Sequence, residues 1–180
     1  VQFFVKNSNF DINSGPDSPL NAAIKKGNIN LAKTLISIKN INVNKVSEID
    51  GKTALTIAIN DGQTEIAKLL LARNDIDVNT MAIVRDFHDH GNFEIENKLS
   101  PIILAIGKDI EIVKLLLSFD NIDPNLGEIY EDCIYYTPLC WAITNVYIEK
   151  ARLLLNNKNI DVNKCSYFDD EMSPLLYAIT

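Results

Sequence analysis

The sequence contains no long apolar run. No stretch approaches the eighteen or more consecutive apolar residues of a membrane helix, and the opening VQFFVKNSNF lacks the basic, apolar and small-residue order of a secretory leader. A soluble chain with no membrane insertion is expected. Cysteine is sparse as well: Cys133, Cys140 and Cys165 are odd in number and fit no CxxC spacing, which argues against a disulfide framework or a zinc site. A reducing, intracellular, cytoplasmic setting is the expectation. Positive charge is deficient, and a net charge of −7 with a pI near 4.8 would repel a phosphate backbone, so nucleic acid is not an expected partner. Catalytic machinery is missing too. There is no G-x-S-x-G, no phosphate-binding glycine loop and no H-E-x-x-H. Cys140 sits at a helix start, where a thiol pKa can fall, but neither histidine lies in its stretch of chain. Neither an enzyme nor a cofactor is expected.

What the sequence has is repetition. Aligned on their Ala-Ile pairs, residues 18–44, 53–79, 100–125 and 137–163 begin SPLNAAI, TALTIAI, SPIILAI and TPLCWAI and end INVN, IDVN, IDPN and IDVN. A further start, SPLLYAI, occupies 173–179, and FDIN at 10–13 reads as the end of a preceding copy. The chain thus begins and ends inside copies, as a segment of a longer array would.

Each copy encodes two helices. Ser18, Thr53, Ser100, Thr137 and Ser173 are N-cap residues, and four of the five precede a proline, whose fixed φ suits the first helical position. In the second copy Leu55, Ala58 and Ile59 form one apolar face, Asp61-Gly62 breaks the helix, and Thr64 is positioned to cap a second helix bearing Ile66, Leu69 and Leu70. The leucine runs end at Asn40, Asp75, Asn121 and Asn159, residues that tolerate a left-handed turn, before Ile-x-Val-x runs extended into the next copy. Two short helices cannot bury their apolar faces alone, so adjacent copies must stack. Leu139, Trp141 and Ala142 are expected in that core.

The combination of T/S-P-L-x-x-A, a turn glycine, E-I-A-K-L-L-L and D-V-N resembles the ankyrin repeat over nearly the whole chain. The resemblance implies an all-α solenoid of stacked helix-turn-helix repeats with protruding finger loops, forming one domain. It also implies non-catalytic protein binding along the fingers and the concave face, through residues that differ from one family member to another. Two departures bear on the fold. The histidine that usually follows T-P-L is replaced by Asn21, Thr56, Ile103, Cys140 and Leu176, so its hydrogen bonds must be made otherwise or lost. The turn glycine is present as Gly27 and Gly62, the third copy is one residue shorter around Gly107, and Val146 stands in the glycine column of the fourth. A left-handed valine is strained, so an altered turn is expected there.

The fingers, 45–52, 80–98, 126–136 and 164–171, hold twelve acidic and five basic residues, which accounts for the whole net charge. They also carry Phe87, Phe93, Tyr130, Tyr135, Tyr136, Tyr167 and Phe168. Aromatic anchors with surrounding acids suit a basic, partly apolar protein or peptide partner. The bland alternative is acids that solvate loops and aromatics that brace them. Candidate contacts on the acidic, aromatic fingers are Asp86, Asp89, Glu128, Tyr130, Glu131, Tyr167, Phe168, Asp169 and Asp170, and the ankyrin resemblance implies further contacts at Asp50, Lys52, Asn60 and Asp61 in the second copy and at Tyr135, Tyr136, Thr144 and Asn145 in the fourth. The long finger, 80–98, is either functional or loosely ordered. His88 and His90 lie there beside Asp86 and Asp89, a weak metal candidate matching no known ligand spacing, or a pH-sensitive contact.

A structural spacer within a longer array, or a regulatory segment of a larger enzyme, are the competing readings. Adjoining repeats are expected to cover the apolar ends at Phe3 and Phe4 and at Leu175 to Tyr177, and without them these ends should fray or self-associate.

Overall fold

The computed structural model describes residues 11–86, 95–130, 133–164 and Pro174. Helices α1 (Pro19–Lys25) and α2 (Ile29–Ile36) form the first copy, α3 (Ala54–Asn60) and α4 (Thr64–Leu71) the second. Helices α5 (Pro101–Lys108) and α6 (Ile110–Leu117) form the third, α7 (Pro138–Thr144) and α8 (Ile148–Leu155) the fourth. Strands β1 (Ala82–Asp86) and β2 (Ile95–Leu99) follow α4, and β3 (Glu128–Tyr130) and β4 (Cys133–Tyr136) follow α6. First helices pack on first helices and second on second, so the pairs stack in two rows.

Each first helix starts for the reason its sequence suggests. The hydroxyls of Ser18, Thr53, Ser100 and Thr137 accept from the amides of Asn21, Thr56, Ile103 and Cys140 at 3.0, 3.2, 3.3 and 3.2 Å. Each such cap contributes about 1 kcal/mol. Leu20, Leu55, Ile102 and Leu139 then point inward, and from the second helices Leu70, Leu116 and Leu154 do the same with no exposed surface. Burying a side chain of this size contributes about 1.5–3 kcal/mol, so these columns supply most of the stacking energy. Leu69 is only half-buried, and its neighbour Leu70 takes the core position. Trp141 is half-buried against the core, whereas Leu139 and Ala142 are fully within it.

The turns between paired helices differ from expectation at three places. Gly27 and Gly62 adopt φ of +65° and +67°, and Val146 adopts +57° as the one left-handed non-glycine residue among those described. The turn of the fourth copy is therefore not altered. The amide of Tyr147 reaches Ala142 O at 2.8 Å just as Gln63 N reaches Ala58 O at 2.8 Å, so the hydrogen-bonded ring imposes the glycine geometry on a valine. In the shorter third copy, Asp109 is extended and both ends α5 and starts α6, which removes the need for a left-handed residue. Thr64 does not cap α4. It is the first helical residue, Gln63 holds the cap position without a side-chain capping bond, and the Thr64 hydroxyl donates to Asp109 Oδ2 at 2.7 Å in the next copy.

The copies end differently from expectation too. Asn40, Asp75, Asn121 and Asn159 are not left-handed; the second helices close through right-handed caps at Ser37, Ala72, Ser118 and Asn156. The I-D-V-N ending does not run extended but folds tightly. In the second copy Ile76 and Val78 are buried, Asp77 Oδ1 accepts from Asn79 N at 2.9 Å, and the Asn79 side chain is freed to reach the next copy. There it donates to Asn121 O at 2.8 Å and accepts from Asp123 N at 3.0 Å. Asn13, Asn44 and Asn125 make the same pair of bonds to Asn40 and Asn42, Asp75 and Asp77, and Asn159 and Asp161. This asparagine ladder ties copy to copy where a T-P-L-H histidine is lacking. At the histidine column itself, Asn21 still holds its finger by donating to Lys45 O and Lys52 O, at 3.2 and 3.3 Å.

The fingers carry the largest addition to the helical picture. β1 and β2 form an antiparallel hairpin, β3 and β4 form another, and β2 pairs with β3 antiparallel, giving one four-stranded sheet in the order β1-β2-β3-β4. The described parts of the long finger are thus strands. The first finger joins at the β1 edge through Ile83 N to Gly51 O, 3.1 Å. At the other hairpin the chain passes so close that a Cβ on Gly127 would lie 1.8 Å from Tyr136 O, which only glycine permits.

Candidate functional site

Of the expected contact residues, those described fall on the fingers and at the ends of the first helices. Asp86 lies in β1, Glu128 and Tyr130 in β3, and Tyr135 and Tyr136 in β4, so pairing of β2 with β3 brings the second and third fingers into one surface. Asn97 faces Tyr130 and Leu99 faces Glu128 across that junction. Asp89, Glu131, Tyr167, Phe168, Asp169 and Asp170 lie outside the described residues, as do His88 and His90. The apolar ends at Phe3 and Phe4 and at Leu175 to Tyr177 lie outside them too.

On the first helices, Asn60, Asp61 and Thr144 are exposed and Asn145 is half-buried. Asn60 Nδ2 donates to Asp61 Oδ1 at 3.0 Å, and Asn145 Nδ2 donates to Trp141 O at 2.9 Å. Trp141 stands one helical turn before Asn145, and its ring meets that of Tyr136 edge-to-face with centroids 5.4 Å apart. Finger and helix are thereby joined by one aromatic pair. Column by column, the same helical position is held by Ala22, Ile57, Leu104 and Trp141, so the row grows from a methyl group to an indole along the array.

Asp50 is not an unencumbered acid. Lys25 Nζ lies 2.9 Å from Asp50 Oδ2 and 2.8 Å from Asp17 Oδ2, a cation shared by two carboxylates that pins the first finger to α1. Burial opposes both charges, yet the carboxylate partners raise the Lys25 pKa above its ordinary value. Burial would likewise push Asp50 up, but the Lys25 ammonium and the Ser47 hydroxyl hold its carboxyl below the usual range. Lys52 contributes its backbone, its carbonyl accepting from Ser47 N at 2.9 Å. Lys45, another finger base, donates to the carbonyls of Asn13 and Gly15 at 2.6 and 2.5 Å. The acidic surplus of the fingers is therefore carried by residues other than Asp50.

Cys140 is fully buried in α7 and serves as core. Among the described residues no three of His, Cys, Asp and Glu gather as metal ligands, and no helix is long and apolar enough to cross a membrane. Sequence reasoning missed Trp141 as a surface partner of Tyr136. No signal in the column found it, because Ile57 at the same position is buried in the core.

Comparison with known proteins bears on the same architecture. A family model described as ankyrin repeats (3 copies) matches residues 1–82 and 81–166. Among solved structures, the crystal structure of EF0377, an ankyrin repeat protein, is similar with a TM-score of 0.69 and 22% identity, over 94% of this chain and 73% of that one. A chain from the structure of the predatory endopeptidase Bd0816 of Bdellovibrio bacteriovorus in complex with the immunity protein Bd3460 is also similar. Its TM-score is 0.69 and its identity 18%, over 99% of this chain and 83% of that one. No curated protein matches. Capped T/S-P-L helices, left-handed turns, leucine columns and stacked helix pairs coincide with that family model over most of the length, and the chain belongs to the ankyrin repeat family.

Proposed function

We propose that the chain is a non-catalytic protein-binding module whose partner lies along the finger sheet and the adjoining first-helix ends. The observation that carries this reading is the junction of β2 and β3. It converts two separate loops into one surface, braced on the helices through Tyr136 and Trp141. Rigid elements hold contact residues more accurately than independent loops do, which favours recognition over mere spacing. Ankyrin repeats generally bind proteins, and one of the similar structures is itself a complex with an immunity protein.

The finger acids define the partner's chemistry. Because the fingers hold the chain's net charge of −7, the fitting partner is a basic segment with apolar side chains for the Tyr136 and Trp141 rings. Affinity should fall steeply as salt rises. The test compares the intact chain with one in which Glu128, Glu131 and Asp132 become Gln, Gln and Asn, using a lysine-rich peptide carrying leucines and the same peptide with lysines replaced by glutamates. Preference for the lysine form, weakened by neutralisation, supports the reading; equal binding of both forms, unaffected by salt, overturns it.

A further inference from the structure

The α7–α8 turn departs from the repeat in two ways at once. Val146 takes the place of Gly27 and Gly62 at φ +57°, yet its side chain is 73% exposed, so its strain is not exchanged for burial. Tyr147 holds the N-cap position of α8 with no side-chain capping bond, as Gln63 does at α4, whereas Asn28 and Asp109 cap α2 and α6. Lys150 stands in the column of Ile66 and Ile112, both of which are buried. Substitutions that break local rules in one place, without a gain in apolar burial, mark a site whose residues serve something else.

Tyr147 and Lys150 line one groove, and Val146 directly precedes them in the chain. An open groove of about 480 Å³ is lined by Ile110, Tyr147, Ile148, Glu149, Lys150 and Arg152. Its floor is apolar, and Ile148 is 57% exposed beside the exposed Val146. Charge in the groove is not balanced. Glu149 is engaged by Arg152 at 3.1 Å, whereas the Lys150 ammonium donates to the carbonyl of Ile106 and lies 4.6 Å from the centre of the Tyr147 ring. A carbonyl does not neutralise an ammonium, which keeps hydrogens for a further acceptor. Asp109 faces it at longer range but is already held by the Thr64 hydroxyl and the Glu111 amide.

We infer that this groove is a second docking surface, which takes a protein segment presenting a leucine-like side chain beside a carboxylate, the apolar group on Val146 and Ile148 and the carboxylate on Lys150. The groove lies at the turn end of the helices. The fingers leave from their other end, about 10 Å away along the seven residues of α7. The two surfaces therefore demand opposite charge from their partners, a basic segment at the fingers and an acidic one at the turn. Burial depresses the Lys150 pKa, as expected for an ammonium set in an apolar wall.

The test is a titration of the full chain, with Val and Ile methyl groups labelled for NMR, against the blocked peptide acetyl-Leu-Glu-Leu-Glu-amide and its glutamine and lysine counterparts. The acidic peptide should shift the Val146 and Ile148 methyls at least fivefold more tightly than the glutamine form, and the lysine form should leave them in place. Lys150→Gln should abolish the preference for glutamate. Val146→Gly should weaken the acidic peptide about threefold while raising the melting temperature, so lost binding is not lost folding. Equal shifts from all three peptides, no shift at several millimolar, or unchanged binding in both variants would overturn the inference. Shifts confined to the Trp141 indole would also overturn it, while leaving the finger surface untouched.

Discussion

The second and fourth copies follow one plan and execute it differently. In the second, Gly62 supplies the left-handed turn, Ile66 fills the core, and Leu71 and Val78 are 7% and 0% exposed between neighbours. In the fourth, Val146 makes the same turn and Lys150 replaces the core isoleucine. The hydrogen-bonded turn survives because its ring of amides and carbonyls is common to both. Local sequence preference is the weaker term. Where it is overridden without a packing gain, as at Val146, stability has been given up, and the difference between the copies locates that sacrifice in a single turn.

The comparison can be broken most forcefully in the core. Leu70→Ala and Leu154→Ala should each destabilise the chain by about 2–5 kcal/mol, since both leucines are fully buried. Chemical denaturation measures both, and a near-neutral melt of either variant would contradict the stacked core. Leu69→Ala should cost less than either.

Next come the bonds between copies. Asn79→Ala removes two inter-copy hydrogen bonds at an exposed site and should cost about 1–2 kcal/mol, with Asn125→Ala equal to it because the same two bonds are lost. Unequal losses would show that the ladder is not uniform. Exchange of the Asp123 and Asp161 amides reads each rung separately.

The acid limb is the smallest effect. The Thr64 hydroxyl, with help from the Glu111 amide and the Lys68 charge, holds the Asp109 carboxyl below its ordinary value against the opposing effect of burial. A depressed carboxylate stabilises the folded chain above its unfolded pKa of about 3.9, and that contribution is lost as pH falls through the lower folded value. Asp109→Asn should therefore flatten the stability profile between about pH 4 and the folded pKa, without changing its slope above pH 6. Thr64→Val should flatten it partially.

Much of this architecture was legible because its causes are local. A serine before proline, leucines at helical spacing and a glycine after an aspartate each act within one turn, and all four first helices begin where their caps stand. The asparagine ladder was not legible in the same way. Asn79 bonds residues 42 and 44 positions away, and a polar residue ending a copy reads as a turn former until its neighbour is in place. The finger sheet was not legible: residues 80–98 read as a long finger in an all-α fold, and the pairing of β2 with β3 depends on the stacking of two copies. At the candidate site, Tyr136 was visible as a finger aromatic, whereas its contact with Trp141 required the finger to fold back over α7. Asp50 looked available from sequence because Lys25 lies 25 positions earlier.

The melting temperature of Val146→Gly tests the contrast most directly. Relief of left-handed strain, about 1–2 kcal/mol, exceeds the backbone entropy that glycine introduces, about 0.5–1 kcal/mol. The variant should melt roughly 2–4 °C higher for each kcal/mol gained, with Gly62→Val falling in the opposite direction. A Val146→Gly chain that melts at the same temperature or lower would contradict the claim that the fourth turn gives up stability.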